Sequence, residues 1–204
     1  MTYRQLAAAL SFAALVPGIA AAQRLAGEHP AAVIPAAAPI DTTGLFRAAA
    51  RQFGEDVFVT GQPTERALNE LRAKGVTTIV NLRTPIEMQR DVPFDEAAVA
   101  QRLGMRYVYV PVRGDSLYPY TTEAEKKFAE AMKTATGKVL LHCTVGWRAS
   151  HMWAAYLVTE RGLSVDSALA LAHVKIPSMD HAMPGGEPVE GFLGRRLTFL
   201  DRTR

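Results

Sequence analysis

Apolar and polar positions in this 204-residue chain switch repeatedly between strand-like and helix-like spacing from Val57 onward. Val57 to Thr60 is a short apolar run closed by the turn Gly61-Gln62-Pro63. Val76 to Leu82 is a longer, β-branched run, and both predict strands buried in a sheet. Between them Ala67, Leu68 and Leu71 recur at helical spacing, with Thr64 placed to cap the helix and Gly75 to stop it. Pro93 to Leu103 predicts a second helix ending at Gly104, and Met105 to Val112 a third strand. Thr122-x-x-Glu125 reads as a capping box opening a helix that ends at Gly137. Lys138 to His142 is the next strand, followed by a helix over Ala149 to Arg161, stopped by Gly162, and a last one from Ser164 through His173. Strands alternating with helices of about ten residues or more predict an α/β, three-layer domain around a central, mostly parallel sheet of four to five strands. In such sheets ligands bind beyond the carboxyl ends of the strands.

The two ends read differently. Arg4, the apolar run Leu6 to Val16, the break Pro17-Gly18 and the small residues Ala20-Ala21-Ala22 predict a signal peptide over residues 1–22, cleaved before Gln23. The apolar run falls short of the roughly 20 residues that span a bilayer, so no stable membrane insertion is expected after cleavage. In a bacterial host the product would be periplasmic. Residues 23–43 are rich in Ala and Pro, with Pro30, Pro35 and Pro39, and read as a linker. The expected domain covers 44–176. A C-terminal extension, 177–204, is expected to pack on it, with a turn at Pro184-Gly185-Gly186 and a short helix over Phe192 to Leu200.

Composition narrows the function classes. With 49% hydrophobic and 21% charged residues the chain suits one globular domain plus appendages. Twenty-three basic against 20 acidic residues leave +3, and no basic run is interleaved with aromatics, which argues against nucleic acid as a partner. Neither a Walker A nor a dinucleotide glycine pattern is present, so no nucleotide cofactor is expected. His151, His173, His181 and Asp180 are scattered, without a thiolate partner or a His-Glu-x-x-His pattern, and predict no metal site.

One cysteine remains, Cys143, in the stretch His142-Cys143-Thr144-Val145-Gly146-Trp147-Arg148-Ala149-Ser150. An apolar strand that ends in a cysteine, turns through a glycine and enters a helix beside an arginine is built to hold an oxyanion. The turn N–H groups and the positive helix end converge there. The same surroundings favour the thiolate. A lone thiol exported into an oxidising compartment also calls for a functional reading, since it has no internal disulfide partner.

These nine residues resemble the signature loop of the cysteine-dependent phosphatases. Val59-Thr60-Gly61-Gln62-Pro63-Thr64 and Gly75-Val76-Thr77-Thr78-Ile79-Val80-Asn81-Leu82-Arg83 resemble the bacterial dual-specificity-phosphatase-like domains, of the kind also fused to β-lactamase-like hydrolases. The likeness covers roughly residues 45–175. It implies a cysteine-phosphatase fold that hydrolyses a phosphomonoester, on a phosphoprotein or a phosphorylated small molecule, without a metal. Cys143 would attack phosphorus and form a thiophosphoryl intermediate that water hydrolyses. Arg148 would grip two equatorial oxygens, and the N–H groups of Thr144, Val145, Gly146, Trp147 and Arg148 the others. His142 would orient the loop by hydrogen bonding and Ser150 would steady the departing thiolate.

Asp115, 28 residues before Cys143 in the loop Arg113-Gly114-Asp115-Ser116, matches the place where related phosphatases carry a general acid; it also reads as an ordinary turn aspartate. Arg83 is expected at the same sheet edge as Cys143, either binding a second anionic group of the substrate or lying on the surface paired with Glu87. Trp147 walls the pocket or stacks on a flat substrate, or else packs against the domain. One departure opens two further functions. Arg148 follows Cys143 by five positions, so only four residues lie between them. That is the length of a rhodanese-like loop, in which Cys143 would carry a persulfide, and the resemblance to the bacterial phosphatase-like domains also admits it, since that subgroup commonly has the shorter loop. A non-catalytic anion-binding module would keep the same loop without turnover.

Overall fold

The apolar runs form strands whose alternate residues face two different helical layers. The structure is a computed structural model that describes residues 38–39, 43–48, 50–174 and 187–197. All of them belong to the second of the chain's two compact units, Ala31–Arg204. Its strands are β1 (Ala38–Pro39), β2 (Ala50–Phe53), β3 (Val57–Thr60), β4 (Val76–Asn81), β5 (Arg106–Tyr109) and β6 (Lys138–His142). The helices are α1 (Glu65–Ala73), α2 (Pro85–Asp91), α3 (Glu96–Arg102), α4 (Thr122–Thr134), α5 (Trp147–Thr159), α6 (Val165–Leu171) and α7 (Pro188–Leu193).

The strands lie in the order β1-β2-β3-β6-β4-β5. β3, β6, β4 and β5 run parallel, and β2 and β1 add an antiparallel edge. The expected mostly parallel sheet is thus β2 to β6, and the two-residue β1 extends it. β1 lies inside the stretch expected to be linker. Val57, Val59, Val80, Val139 and Leu141 face a core shared with Phe128, Met152, Trp153 and Phe192 of α4, α5 and α7. Phe58, Ile79 and Leu140 face Leu68, Leu71, Val99 and Ala100 of α1 and α3 on the other side. The period of two along each strand makes this division. It also sends His142 to the same side as Leu140 and Cys143 to the side of Leu141.

Thr60, His142, Asn81 and Tyr109 are in register across neighbouring strands, so β3, β6, β4 and β5 end level. Four loops therefore leave one edge together.

Several local expectations shift. The seven-residue α2 was not foreseen; Thr84 and Glu87 form its capping box, with Pro85 at its first position. α3 starts after Asp95, not at Pro93. The capping box expected at Thr122 and Glu125 does not form. Thr121 caps α4 by accepting from the Ala124 N–H at 3.2 Å, and Glu125 instead accepts from Thr159 Oγ1 at 2.7 Å. α5 begins at Trp147, two residues early, because Gly146 turns the chain in the left-handed region (φ 88°). α7 precedes the expected Phe192–Leu200 helix; its Val189 and Phe192 are buried in the α4–α5 core. The expected Pro184-Gly185-Gly186 turn and the signal peptide lie outside the described residues. No helix among the described residues is long and apolar enough to cross a membrane.

The β3–α1 turn is packed against backbone. A Cβ at Gly61 would stand 1.6 Å from the Arg47 carbonyl oxygen, a main-chain atom that cannot swing away. Gly61→Ala is expected to destabilise the fold by at least about 1–3 kcal/mol, read as a lower urea midpoint.

Candidate active site

The reactive loop is stapled to its neighbours before it reaches the helix. The Cys143 N–H donates to Thr60 O (3.3 Å), the Leu82 N–H to His142 O (3.0 Å) and the Gln62 N–H to Thr144 O (3.1 Å). Gly61 and Val145 form an isolated bridge. Gly146 then reverses the chain, and its N–H donates to Cys143 Sγ at 3.2 Å. Cys143 is 1% exposed, and its sulfur lies at the amino end of the 13-residue α5, where the helix dipole favours negative charge.

Arg148, in the first turn of α5, is held from four sides. Its Nη1 donates to Val112 O (2.6 Å), Glu87 Oε2 (3.1 Å) and Leu82 O (3.2 Å). Its Nη2 donates to Glu87 Oε1 (2.6 Å) and Thr144 Oγ1 (2.9 Å). Thr144 Oγ1 donates in turn to Glu87 Oε1 at 2.8 Å. Burial alone would raise the Glu87 pKa. Hydrogen bonds from Arg148, the Thr84 backbone and Thr144, with the charge of Arg148, overcome this and hold it at about 2. Burial likewise works against the Arg148 charge, but the Glu87 hydrogen bonds and the negative charge of Cys143 and Glu87 raise its pKa above the ordinary arginine value.

The loop residues named from the sequence are brought together, with some changes of part. Thr144 joins the Arg148–Glu87 cluster through its side chain. Val145 and Trp147 are 50% and 40% exposed and form an apolar lip. The Trp147 ring stands edge-on to His151 at 4.9 Å, which gives it both packing and an open face. Burial pushes the fully buried His151 down to about 4.

His142 does not hydrogen-bond to the loop through its ring. The ring points to the opposite side of the sheet, with Nε2 2.8 Å from Glu96 Oε1. Ser150 is half-buried and bonds through its N–H to Gly146 O at 2.9 Å; the donor that steadies Sγ is the Gly146 N–H.

Two residues outside the loop depart further. Arg83 is fully buried, neither on the surface nor free for a second anionic group. Its Nη1 donates to Gln62 Oε1 (2.8 Å), and its Nη2 to Asp91 Oδ2 (2.7 Å) and the Glu87 carbonyl (3.0 Å). Burial disfavours its charge, and these acceptors together with the nearby Glu87 and Asp91 carboxylates offset part of that cost. Asp115 is exposed and takes the turn role: its Oδ1 accepts from the N–H groups of Leu117 (3.1 Å) and Tyr118 (2.8 Å). Its Oδ2 lies 3.8 Å from Arg113 Nε.

Glu87 and Tyr120 were missed from the sequence. Thr84-x-x-Glu87 directly after Arg83 was a legible capping signal, but nothing in it says that the carboxylate reaches Arg148, 61 residues on. Tyr120 follows the Asp115 loop and bonds through its hydroxyl to Arg113 O (2.9 Å). Burial pushes it up to about 12, with Arg148 pulling it back and Cys143 and Glu87 adding to the rise.

Residues 30–193 match the family described as a DSP-PTPase phosphatase fused to NAD+ kinase. The chain belongs to this family. It is similar to the β-lactamase hydrolase-like proteins of two Xylella fastidiosa strains, 9a5c and Temecula1. Each is 33% identical over 151 residues, covering 72% of this chain. The chain spans 31% of the length of these curated relatives. Among solved structures, a DUF442 protein from Shewanella putrefaciens is 28% identical with a TM-score of 0.52, over 64% of this chain and 81% of that one. TpbA from P. aeruginosa, 17% identical with a TM-score of 0.52 over 72% and 80% of the two chains, shares the fold. The chain thus has the cysteine-phosphatase fold expected of it, with the Arg148 of its loop clamped by Glu87 of α2.

The clamp makes a pH prediction. A carboxylate held at about 2 contributes stability that is fully present above its unfolded value, near 4.3, and lost as pH falls through 2. Glu87→Gln is expected to cost about 3–5 kcal/mol at pH 7, because it leaves Arg148 buried and unpaired. It should also flatten the stability curve between about pH 5 and 2. Urea unfolding at pH 7 and pH 3 reads both.

Proposed function

We propose that this phosphatase hydrolyses phosphomonoesters through Cys143 as nucleophile. The observation that carries the reading is the donation from the Gly146 N–H to Sγ at the start of α5, beside an arginine locked by Glu87. The thiolate attacks phosphorus, the P–O bond to the leaving group breaks, and the leaving oxygen takes a proton. Water then attacks the thiophosphoryl intermediate and returns the thiolate with inorganic phosphate. Arg148 and the loop N–H groups stabilise the charge that develops on the equatorial oxygens. A phosphate entering the loop competes with Thr144 Oγ1 for an Arg148 Nη2 proton, so Thr144 gates that contact. Beside its turn role, Asp115 is the candidate donor of the leaving-group proton: Oδ2, which faces Arg113 Nε at 3.8 Å rather than the Leu117 and Tyr118 N–H groups, would take up a proton and pass it to the leaving oxygen. The substrate is a phosphoprotein or a phosphorylated small molecule met outside the cytoplasm, since residues 1–22 read as a signal peptide.

The short loop favours one second reading, sulfur transfer. The thiolate would take the outer sulfur of thiosulfate, releasing sulfite and leaving a persulfide, from which cyanide would remove the sulfur as thiocyanate. Two parallel assays separate these: an aryl phosphate in one, thiosulfate with cyanide in the other. Phosphate release abolished by Cys143→Ser is the expected result. Phosphate release that survives the substitution removes Cys143 as nucleophile, and thiocyanate without phosphate release moves the function to sulfur transfer.

Asp115→Asn is expected to slow esters of poor leaving groups by about 10²–10⁴-fold and activated aryl esters much less. Equal slowing of both would take the acid role away from Asp115.

A further inference from the structure

The reverse face of the sheet carries a buried polar cluster that the reaction itself does not use. Its centre is Glu96, in the first turn of α3 and 2% exposed. One carboxylate oxygen, Oε2, accepts from Gln62 Nε2 (3.2 Å) and Asn81 Nδ2 (3.3 Å). The other, Oε1, lies 2.8 Å from His142 Nε2. Each of these neighbours leads to the reactive loop. His142 immediately precedes Cys143. The Gln62 N–H donates to Thr144 O, and Gln62 Oε1 accepts from Arg83, whose Nη2 donates to the Glu87 carbonyl. Glu87 in turn clamps Arg148. Asn81 Oδ1 accepts from the Arg83 N–H at 2.8 Å.

We infer that Glu96 is the positioning residue of the catalytic loop, holding the strand end before Cys143 and the Arg83–Glu87–Arg148 chain in one frame. The inference rests on the reading of Cys143 as the nucleophile. Three side chains from three different strands and turns bring nitrogens to one buried point, and an ionised carboxylate is an acceptor at both oxygens. An amide in its place can keep its oxygen on Gln62 and Asn81, but its NH2 group then faces His142 Nε2, so the charge beside the ring is lost and that nitrogen has to accept.

Positioning and plain charge act with opposite sign on the thiol, and this makes the idea testable. Removing a nearby negative charge favours the thiolate and lowers the pH at which it forms. A slackened loop loses the Gly146 N–H that steadies Sγ, and raises that pH. The charged and titratable groups facing Cys143 are Arg148 of α5 and Tyr120 of the β5–α4 loop, with Glu87 of α2 behind Arg148. Glu96→Gln leaves all three in place.

The full chain is compared as wild type, Glu96→Gln and Glu125→Gln. Glu125 is an equally buried carboxylate on the other helical layer, bonded to Thr159. Two readouts are taken: the pH midpoint of Cys143 alkylation by iodoacetamide, and kcat and KM for an aryl phosphate. For Glu96→Gln the midpoint is expected to move up and kcat/KM to fall about 10–100-fold, mostly in kcat, with Glu125→Gln near wild type. A midpoint that stays or moves down, or an equal response from Glu125→Gln, overturns the inference. If Glu96→Gln does not fold, Glu96→Asp keeps the charge while shortening its reach, and the same upward shift is expected. Should neither Glu96 variant fold while Glu125→Gln does, the role is structural and the inference fails. The alkylation arm needs no turnover, so it still judges Glu96 if Cys143→Ser leaves phosphate release intact and removes the nucleophile reading.

Discussion

The bidentate pair between Glu87 and Arg148 is the constraint around which the rest of the site is arranged. A guanidinium taken out of water has to be matched in charge and in donor geometry, or it costs several kcal/mol. Here a planar fork meets a carboxylate, with the carbonyls of Leu82 and Val112 accepting further protons. That arrangement ties the starts of α2 and α5 to the ends of β4 and β5. The loop between β6 and α5 then has little freedom. Its Gly146 N–H meets the sulfur, and its Thr144 hydroxyl is drawn into the same cluster.

Around this pair the sheet works as a levelling device. Parallel strands that end in register deliver the loops after β3, β4, β5 and β6 to one edge, where ligands bind in open α/β sheets. The same alternation that separates the two cores puts His142 and Cys143 on opposite sides. The Cys143 loop is consequently flanked on both sides: by helix α5 and Arg148 on one face, by Glu96 of α3 against His142 on the other. Apolar Val145 and Trp147 remain exposed at the lip of the loop, above the polar cluster of Thr144, Arg148 and Glu87.

Much of the fold was legible in the residues. Strands β3, β4 and β6, helices α1, α5 and α6, and the caps Thr64 and Ser164 follow from spacing and from short-range capping chemistry that acts within three or four residues. The reactive loop was legible for the same reason, since a strand, a cysteine, a glycine and an arginine lie within a few positions. What was misread depends on partners far along the chain. Glu125 looked like half of a capping box, but a threonine on the next helix took its carboxylate. α2 is only seven residues long and too short to show a helical period. β1 sits in Ala- and Pro-rich sequence and exists as a strand because β2 pairs with it.

By itself the chain's pattern determined the α/β class, the mostly parallel character of the sheet and the position of the Cys143 loop between a strand and a helix, because each rests on local periodicity or adjacent residues. Tertiary structure alone decided which charges meet. From the sequence both Arg83 and Arg148 were expected near the sheet edge and both were candidates for an anion. Folding buries Arg83 against Asp91 and Gln62 as support, and places Arg148 against Glu87 beside the sulfur. The physical reason is that desolvating a guanidinium is tolerable only where the fold supplies acceptors. Gln62 lies 21 positions from Arg83 and Glu87 lies 61 from Arg148, separations that no local pattern specifies.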